Sequence, residues 1–251
     1  MRLIASFFVF WSLVCAGYGQ SISYCTRTVN KASFHAVIAD LRSENVKVSG
    51  LLAPKLGSSR SAGRMVTSAH PDVAVCGTFF CTSSNLPVGG IVIEGVEMAK
   101  GARGSALVID YFNQAKIFDT GYGQKLNTDG FRFMMRGGVR IMTAGKTTIY
   151  PADQKFRLSN VAGSAPRTAV GVTPENRLVI LVTKQNVQLR HVATAMKSFG
   201  VRDAISFDGG GSTTLYYKGK MLVRPARTLT NLMVLYESPG AAWQTRPVVS
   251  K

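Results

Sequence analysis

Acidic residues are scarce in this chain: 13 aspartates and glutamates stand against 30 lysines and arginines, giving a formal charge of +17 over 251 residues. A field of that sign favours anionic partners, such as phosphate-bearing glycans, acidic polysaccharide or lipopolysaccharide, with nucleic acid the weaker candidate and not expected here. Histidine is rarer still. His35, His70 and His191 are scattered, with no pair one helical turn apart, so a zinc site has little support. No Cys-x-x-Cys pair occurs either, and no metal or cofactor is expected. Beyond the first residues no apolar run is long enough to cross a bilayer, so no transmembrane anchor is expected.

The one long apolar stretch stands at the start. Arg2 is followed by the run Leu3 to Cys15 and then by the small residues Ala16-Gly17-Tyr18-Gly19. A charged start, a short apolar core and a small-x-small site describe a secretory signal peptide over 1–19, cleaved after Gly19 or, as second choice, after Ala16. The protein is therefore expected to be secreted or periplasmic. Residues 20–237 are enough for one domain with its own core, and Ser238 to Lys251 reads as a flexible tail. In an oxidising compartment Cys76 and Cys81 could close a short loop, leaving Cys25 outside that pair.

Short alternating or apolar runs dominate what remains, which predicts an α+β domain with a mixed, mostly β core. Residues 20–33 read as a loose lead-in. Phe34 to Leu41 reads as the first strand, and the small, basic run between Ala53 and Arg64 as an exposed loop. Further strands are expected over Asp72 to Phe80 with a break at Gly77, over Leu86 to Gly95, and over Val139 to Met142. Ser105 to Asp110 and Ala115 to Phe118 suggest a hairpin. The last third is clearest: strands over Arg167 to Val172 and Arg177 to Thr183 flank a turn at Thr173 to Asn176. A helix over Leu189 to Phe199, with Val192, Ala195, Met196 and Phe199 on one face, stops at Gly200. A strand over Asp203 to Phe207 then completes a strand–helix–strand crossover, and Asn231 to Tyr236 closes the domain.

That crossover delivers Asp208 into Gly209-Gly210-Gly211-Ser212-Thr213. A carboxylate at a strand end is where ligands bind in open α/β sheets. Glycines let a ligand approach the peptide N–H groups, and two hydroxyls follow at the mouth of the same turn. No lysine precedes the Ser/Thr pair, which excludes a Walker-type nucleotide loop.

Three fragments, Gly77-Thr78-Phe79-Phe80, Pro166-Arg167-Thr168-Ala169-Val170-Gly171 and Asp208-Gly209-Gly210-Gly211-Ser212-Thr213, occur in that order with Arg227 and Asn231 behind them. Together they resemble the phosphodiester glycosidase family, from about Val73 to Tyr236. Two positions depart from the family pattern. Cys76 stands where members usually carry the asparagine of Asn-Gly-Gly-Phe-Phe, and Thr183-Lys184-Gln185 lacks the Asp-Gly pair that usually follows this strand.

The resemblance implies hydrolysis of a sugar-1-phosphodiester linkage in a surface or extracellular glycan. Phosphate is a good leaving group, so the site needs a cation for the growing charge more than a strong general acid. It also needs a carboxylate as nucleophile, base or stabiliser of an oxocarbenium-like transition state. Asp208 is the expected carboxylate and Arg167 the expected phosphate fork. Gly209, Gly210 and Gly211 would offer backbone donors, and Arg227 a second clamp. Ser212 or Asn231 would orient sugar hydroxyls, with Thr213, Thr168 and Cys76 completing the pocket. The alternative is a non-catalytic binder of anionic polysaccharide on the same fold.

Overall fold

The computed structural model describes residues 20–120, 123–124, 126–154, 156 and 161–237. The leader expected at 1–19 and the tail expected at 238–251 lie outside the described residues. The described chain starts with a hairpin in which β1 (Ile22–Val29) pairs antiparallel with β2 (Ala32–Asp40), where a loose lead-in was expected. Its turn holds Asn30 and Lys31 both at positive φ, 50° and 64°, as a two-residue turn of the I′ kind requires. A lysine at the second turn position, where glycine is the usual signal, hid that turn, and only Ile22 of β1 is buried.

β3 (Val46–Leu52) is followed by α1 (Ala62–Ala69), which begins inside the stretch read as an exposed loop. The Ser61 hydroxyl caps it by accepting the Arg64 N–H, and Ala62, Met65, Val66 and Ala69 bury one face at helical spacing. Next come β4 (Val73–Cys76), β5 (Gly89–Ile93), β6 (Val96–Ala102), β7 (Ala106–Asp110), β8 (Ala115–Phe118) and β9 (Phe131–Arg136). β10 (Arg140–Thr143), β11 (Lys146–Thr147), β12 (Ala165–Val172) and β13 (Arg177–Val187) follow. The chain continues with α2 (Leu189–Lys197), β14 (Asp203–Ser206), β15 (Leu215–Tyr217), β16 (Lys220–Val223) and β17 (Asn231–Glu237). The fold is α+β with a mostly β core.

These strands form a seven-stranded sheet, β1-β2-β13-β12-β14-β10-β11, and two five-stranded sheets, β16-β15-β4-β17-β3 and β6-β5-β9-β7-β8. Both neighbours of β12 run antiparallel to it, so β13 and β14 are parallel to each other at one remove. The crossover through α2 is therefore present, with β12 lying between its two strands. The inner faces of all three sheets meet in one core that includes Val37, Val75, Ile91, Phe133, Ile180, Ile205 and Met233. α2 covers the outer face of the first sheet with Val192, Ala195 and Met196, and α1 covers the second. No helix among the described residues is long and apolar enough to cross a membrane.

The first two sheets touch end to end just beyond β14. Phe207 N–H donates to Thr168 O at 2.9 Å, and Asp208 N–H donates to Gly77 O at 3.0 Å. The loop after β14 is thus anchored to β12 on one side and to the loop after β4 on the other.

Candidate active site

Asp208 lies in that seam and is only 4% exposed. The Cys76 thiol donates to the Asp208 carbonyl at 2.9 Å, fixing that peptide in the seam. The carboxylate itself has few partners: Oδ1 accepts Gly209 N–H at 2.9 Å, and Oδ2 stands 3.4 Å from Arg227 Nη2. Burial pushes its pKa above the ordinary carboxylate value, against the opposing pull of Ser212 and Arg227. A buried carboxyl with a raised pKa in a seam between sheets is a candidate functional group.

Arg227 is placed by two contacts. Its Nε donates to Ser212 Oγ at 2.7 Å, and its guanidinium carbon lies 4.8 Å from the Phe80 ring centroid. Its side chain remains 39% exposed, so much of the fork is open to solvent. Gly210 to Ser212 forms a single 3₁₀ turn, with Gly210 at φ +57°, a conformation that favours glycine. Gly209 is required for a different reason: a Cβ there would lie 2.8 Å from Pro166 O. None of the described hydrogen bonds uses the N–H of Gly210 or Gly211. A buried carboxylate, a half-exposed guanidinium and unused backbone donors thus share one loop. Among the described residues no cluster of His, Cys, Asp or Glu side chains could hold a metal ion.

A model of the phosphodiester glycosidase family matches residues 69–236. The chain belongs to that family. Among solved structures, the catalytic domain of zebrafish N-acetylglucosamine-1-phosphodiester α-N-acetylglucosaminidase, auto-inhibited by its pro-peptide, superposes with a TM-score of 0.69 at 20% identity. The match covers 86% of this chain and 82% of that one. A hypothetical protein from Synechocystis gives 0.67 at 13% identity, covering 86% of this chain and 62% of that one. A protein of Burkholderia pseudomallei gives 0.58 at 14% identity, covering 82% of this chain and 74% of that one. No curated protein sequence matches. At these identities the structures establish the shared fold.

The phosphodiester glycosidase fold brings together Asp208, Gly209, Gly210, Gly211, Ser212, Thr168, Cys76 and Arg227. It sends Arg167 elsewhere. Arg167 and Thr168 are successive residues of β12 and point to opposite faces. Thr168 meets Cys76 (Oγ1 to Sγ 3.1 Å), whereas Arg167 donates to the carbonyls of Val187 and Val161, each at 3.1 Å, and of Gly163. Expected as the phosphate fork, Arg167 has its guanidinium engaged with backbone, and the arginine beside Asp208 is Arg227.

Asn231 also does other work than the sequence suggested. Its Oδ1 accepts Thr78 N–H at 2.8 Å, and its Nδ2 donates to Thr78 O at 3.2 Å and to Thr230 Oγ1 at 2.8 Å. The amide ties the start of β17 to the loop after β4, and a Cβ on Gly77 would collide with it at 2.2 Å. Thr213 is buried, and its hydroxyl has no partner among the described residues. The expected Cys76–Cys81 loop is not closed: Cys76 is buried against Thr168, while Cys81 is exposed beside Ser83. Burial pushes the Cys76 thiol up to about 12, so it serves as a neutral donor. Where the family's Asp-Gly pair is missing, β13 runs on to Val187, and Gln185 Oε1 accepts Ser33 N–H at 2.8 Å.

Two contributors had a weak sequence signal. Phe80, noted only as part of Gly77-Thr78-Phe79-Phe80, is the platform under Arg227. Thr78, in the same fragment, is buried with an unpartnered hydroxyl.

Proposed function

We infer that this chain is an exported hydrolase of sugar-1-phosphodiester linkages in a surface or extracellular glycan. The observation that carries the reading is the pairing of buried Asp208 with a single, half-exposed Arg227 on a loop with unused backbone donors. A carboxylate and a solvent-facing guanidinium 3.4 Å apart suit a reaction in which positive charge grows at an anomeric carbon while phosphate departs.

In this mechanism Asp208 faces the anomeric carbon and stabilises the oxocarbenium-like transition state, as nucleophile or as base for water. Arg227 receives the leaving phosphate, its fork presented by the bond to Ser212 and by stacking on Phe80. The N–H groups of Gly210 and Gly211 add donors to the same anion. Cys76, Thr168 and Asn231 act as positioning residues, fixing the Asp208 peptide and the adjoining loop. Arg167 braces the 161–163 segment against the end of β13.

The test is sugar release from UDP-N-acetylglucosamine and a panel of sugar-1-phosphodiesters. Asp208→Asn is expected to cut turnover by about 100- to 10,000-fold, the range for losing a group that handles a proton or bond in the transition state. Retained turnover would remove Asp208 from the mechanism. No release from any substrate, with salt-dependent binding of acidic polysaccharide, would favour the non-catalytic binder.

A further inference from the structure

Four arginines are buried among the described residues: Arg132, Arg136, Arg140 and Arg167. Three have their donors taken up by several acceptors. Arg132 bonds Val48 O, Asn113 Oδ1 and Glu94, while Arg167 bonds backbone carbonyls. Arg140 bonds Met142 O, Ile117 O, Asp119 and Asp203. Arg136 differs. It is 2% exposed, and its Nη2 donates to Gln124 O at 2.6 Å, but its Nη1 has no partner among the described residues. No carboxylate pairs with it among the described residues. A buried guanidinium donor without an acceptor costs its full desolvation, so this arrangement calls for a missing anion.

The surroundings have room for one. Arg136 ends β9 and points, with Met134, to the outer face of the third sheet, away from the central core. There it lines a cavity of about 530 Å³. Lys100 and Glu97 stand at the exposed rim, and Thr128 and Gln124 form the facing wall. Glycine keeps the β5–β6 side of the floor bare: a Cβ at Gly101 would lie 2.6 Å from Val88 O, so no larger residue fits. The cavity therefore combines an unpaired buried cation, a rim lysine, a hydroxyl and an apolar floor. Burial also holds the Arg136 pKa below the usual guanidinium value.

We propose that this cavity is a second, non-catalytic anion site that seats a carboxylate or phosphate group carried by an acidic glycan against the Arg136 guanidinium. The volume accepts a sugar unit, and the guanidinium fork suits either oxyanion. The choice of a glycan rests on the function proposed above; the anion does not. The site gives the enzyme a hold on its polymer that is independent of the scissile bond, so that binding and cleavage are separable.

The experiment titrates inorganic phosphate, trigalacturonate and neutral maltotriose into the Asp208→Asn protein by calorimetry, alone and combined with Arg136→Met, Lys100→Glu or Lys55→Glu. The last is an exposed lysine remote in sequence that reports the general field. At least one anion should bind and maltotriose should not. Arg136→Met should weaken binding about tenfold or more, as expected for a lost charge-assisted hydrogen bond. Lys100→Glu should weaken it about threefold and Lys55→Glu hardly at all. Which anion binds distinguishes uronate from phosphate. The proposal is overturned if neither anion binds, if Arg136→Met binds as before, or if Lys55→Glu weakens binding as much as Lys100→Glu. Should Arg136→Met not fold, the two lysine variants decide alone. Absence of sugar release by the parent protein, with anion binding intact, would count against the hydrolase reading and leave this site standing.

Discussion

The two ends of β14 each bring an aspartate to an arginine, and the two pairs are built in opposite ways. At the start, Asp203 meets Arg140 at 2.6 Å, and Arg140 also reaches Asp119 and the carbonyls of Met142 and Ile117. Asp203 further accepts the Ala144 N–H at 3.1 Å. Past the other end, Asp208 has one arginine contact at 3.4 Å, one backbone donor and the Ser212 hydroxyl nearby, and its arginine is 39% exposed. The first pair satisfies both partners and ties three strands and a turn together. The second leaves capacity on both partners and carries a carboxyl with a raised pKa. A buried ion pair with full partnership is architecture, whereas one left incomplete is held ready for something that is not protein.

The largest effect that would test this contrast is at the structural end. Arg140→Met should cost about 3 kcal/mol of stability by stranding Asp203, read as a lower denaturant midpoint, with turnover per folded molecule unchanged. A loss of turnover without loss of stability would erase the distinction.

Arg227→Gln should do the reverse. Turnover of phosphodiester substrates should fall about 100-fold, the scale for removing one donor to developing charge, while stability falls less than for Arg140→Met. An equal loss on uncharged aryl glycosides would argue against a phosphate-directed role.

A smaller effect is a pH dependence. The native Asp208 pKa is raised, so its stabilising contribution is complete below the ordinary carboxylate value and is lost as pH rises through the native one. Asp208→Asn should therefore be more stable than the parent at neutral pH and lose that advantage in acid. An advantage that grows in acid would contradict the direction of the shift.

The smallest effect is chemical. Hydrogen bonds from Ser83 and Ser84 bring the exposed Cys81 thiol down to about 6, while Cys76 is pushed up to about 12 by burial and by Asp208. Iodoacetamide at pH 7 should label Cys81 at once and Cys76 only after unfolding, as mass mapping would show.

Much of the site was legible in the order of residues. A strand ending in Asp208 and a glycine turn followed by hydroxyls can be read from local pattern, because backbone conformation and hydrogen-bonding type are local properties. The helix over α2 and the turn at Thr173 to Asn176 were legible for the same reason. β1 was not, since its turn has lysine where glycine would signal it and its side chains are mostly half-exposed. α1 was hidden inside a basic, small-residue stretch whose four buried positions show only once the second sheet is there to cover them.

Arg167 and Arg227 mark the boundary most clearly. Both are arginines in family-like contexts, and sequence alone ranked Arg167 first. Which one faces Asp208 depends on the face of β12 that carries Arg167 and on the loop that folds Arg227 over Phe80, and neither is a local property. By itself the sequence determined the mostly β class, the crossover, and a carboxylate beside a donor-rich turn, because periodicity and glycine geometry act within a few residues. Only the tertiary structure decided which cation meets that carboxylate, that Asn231 serves the backbone, and that Arg136 is buried without a counter-ion. Those outcomes depend on contacts between segments far apart in the chain.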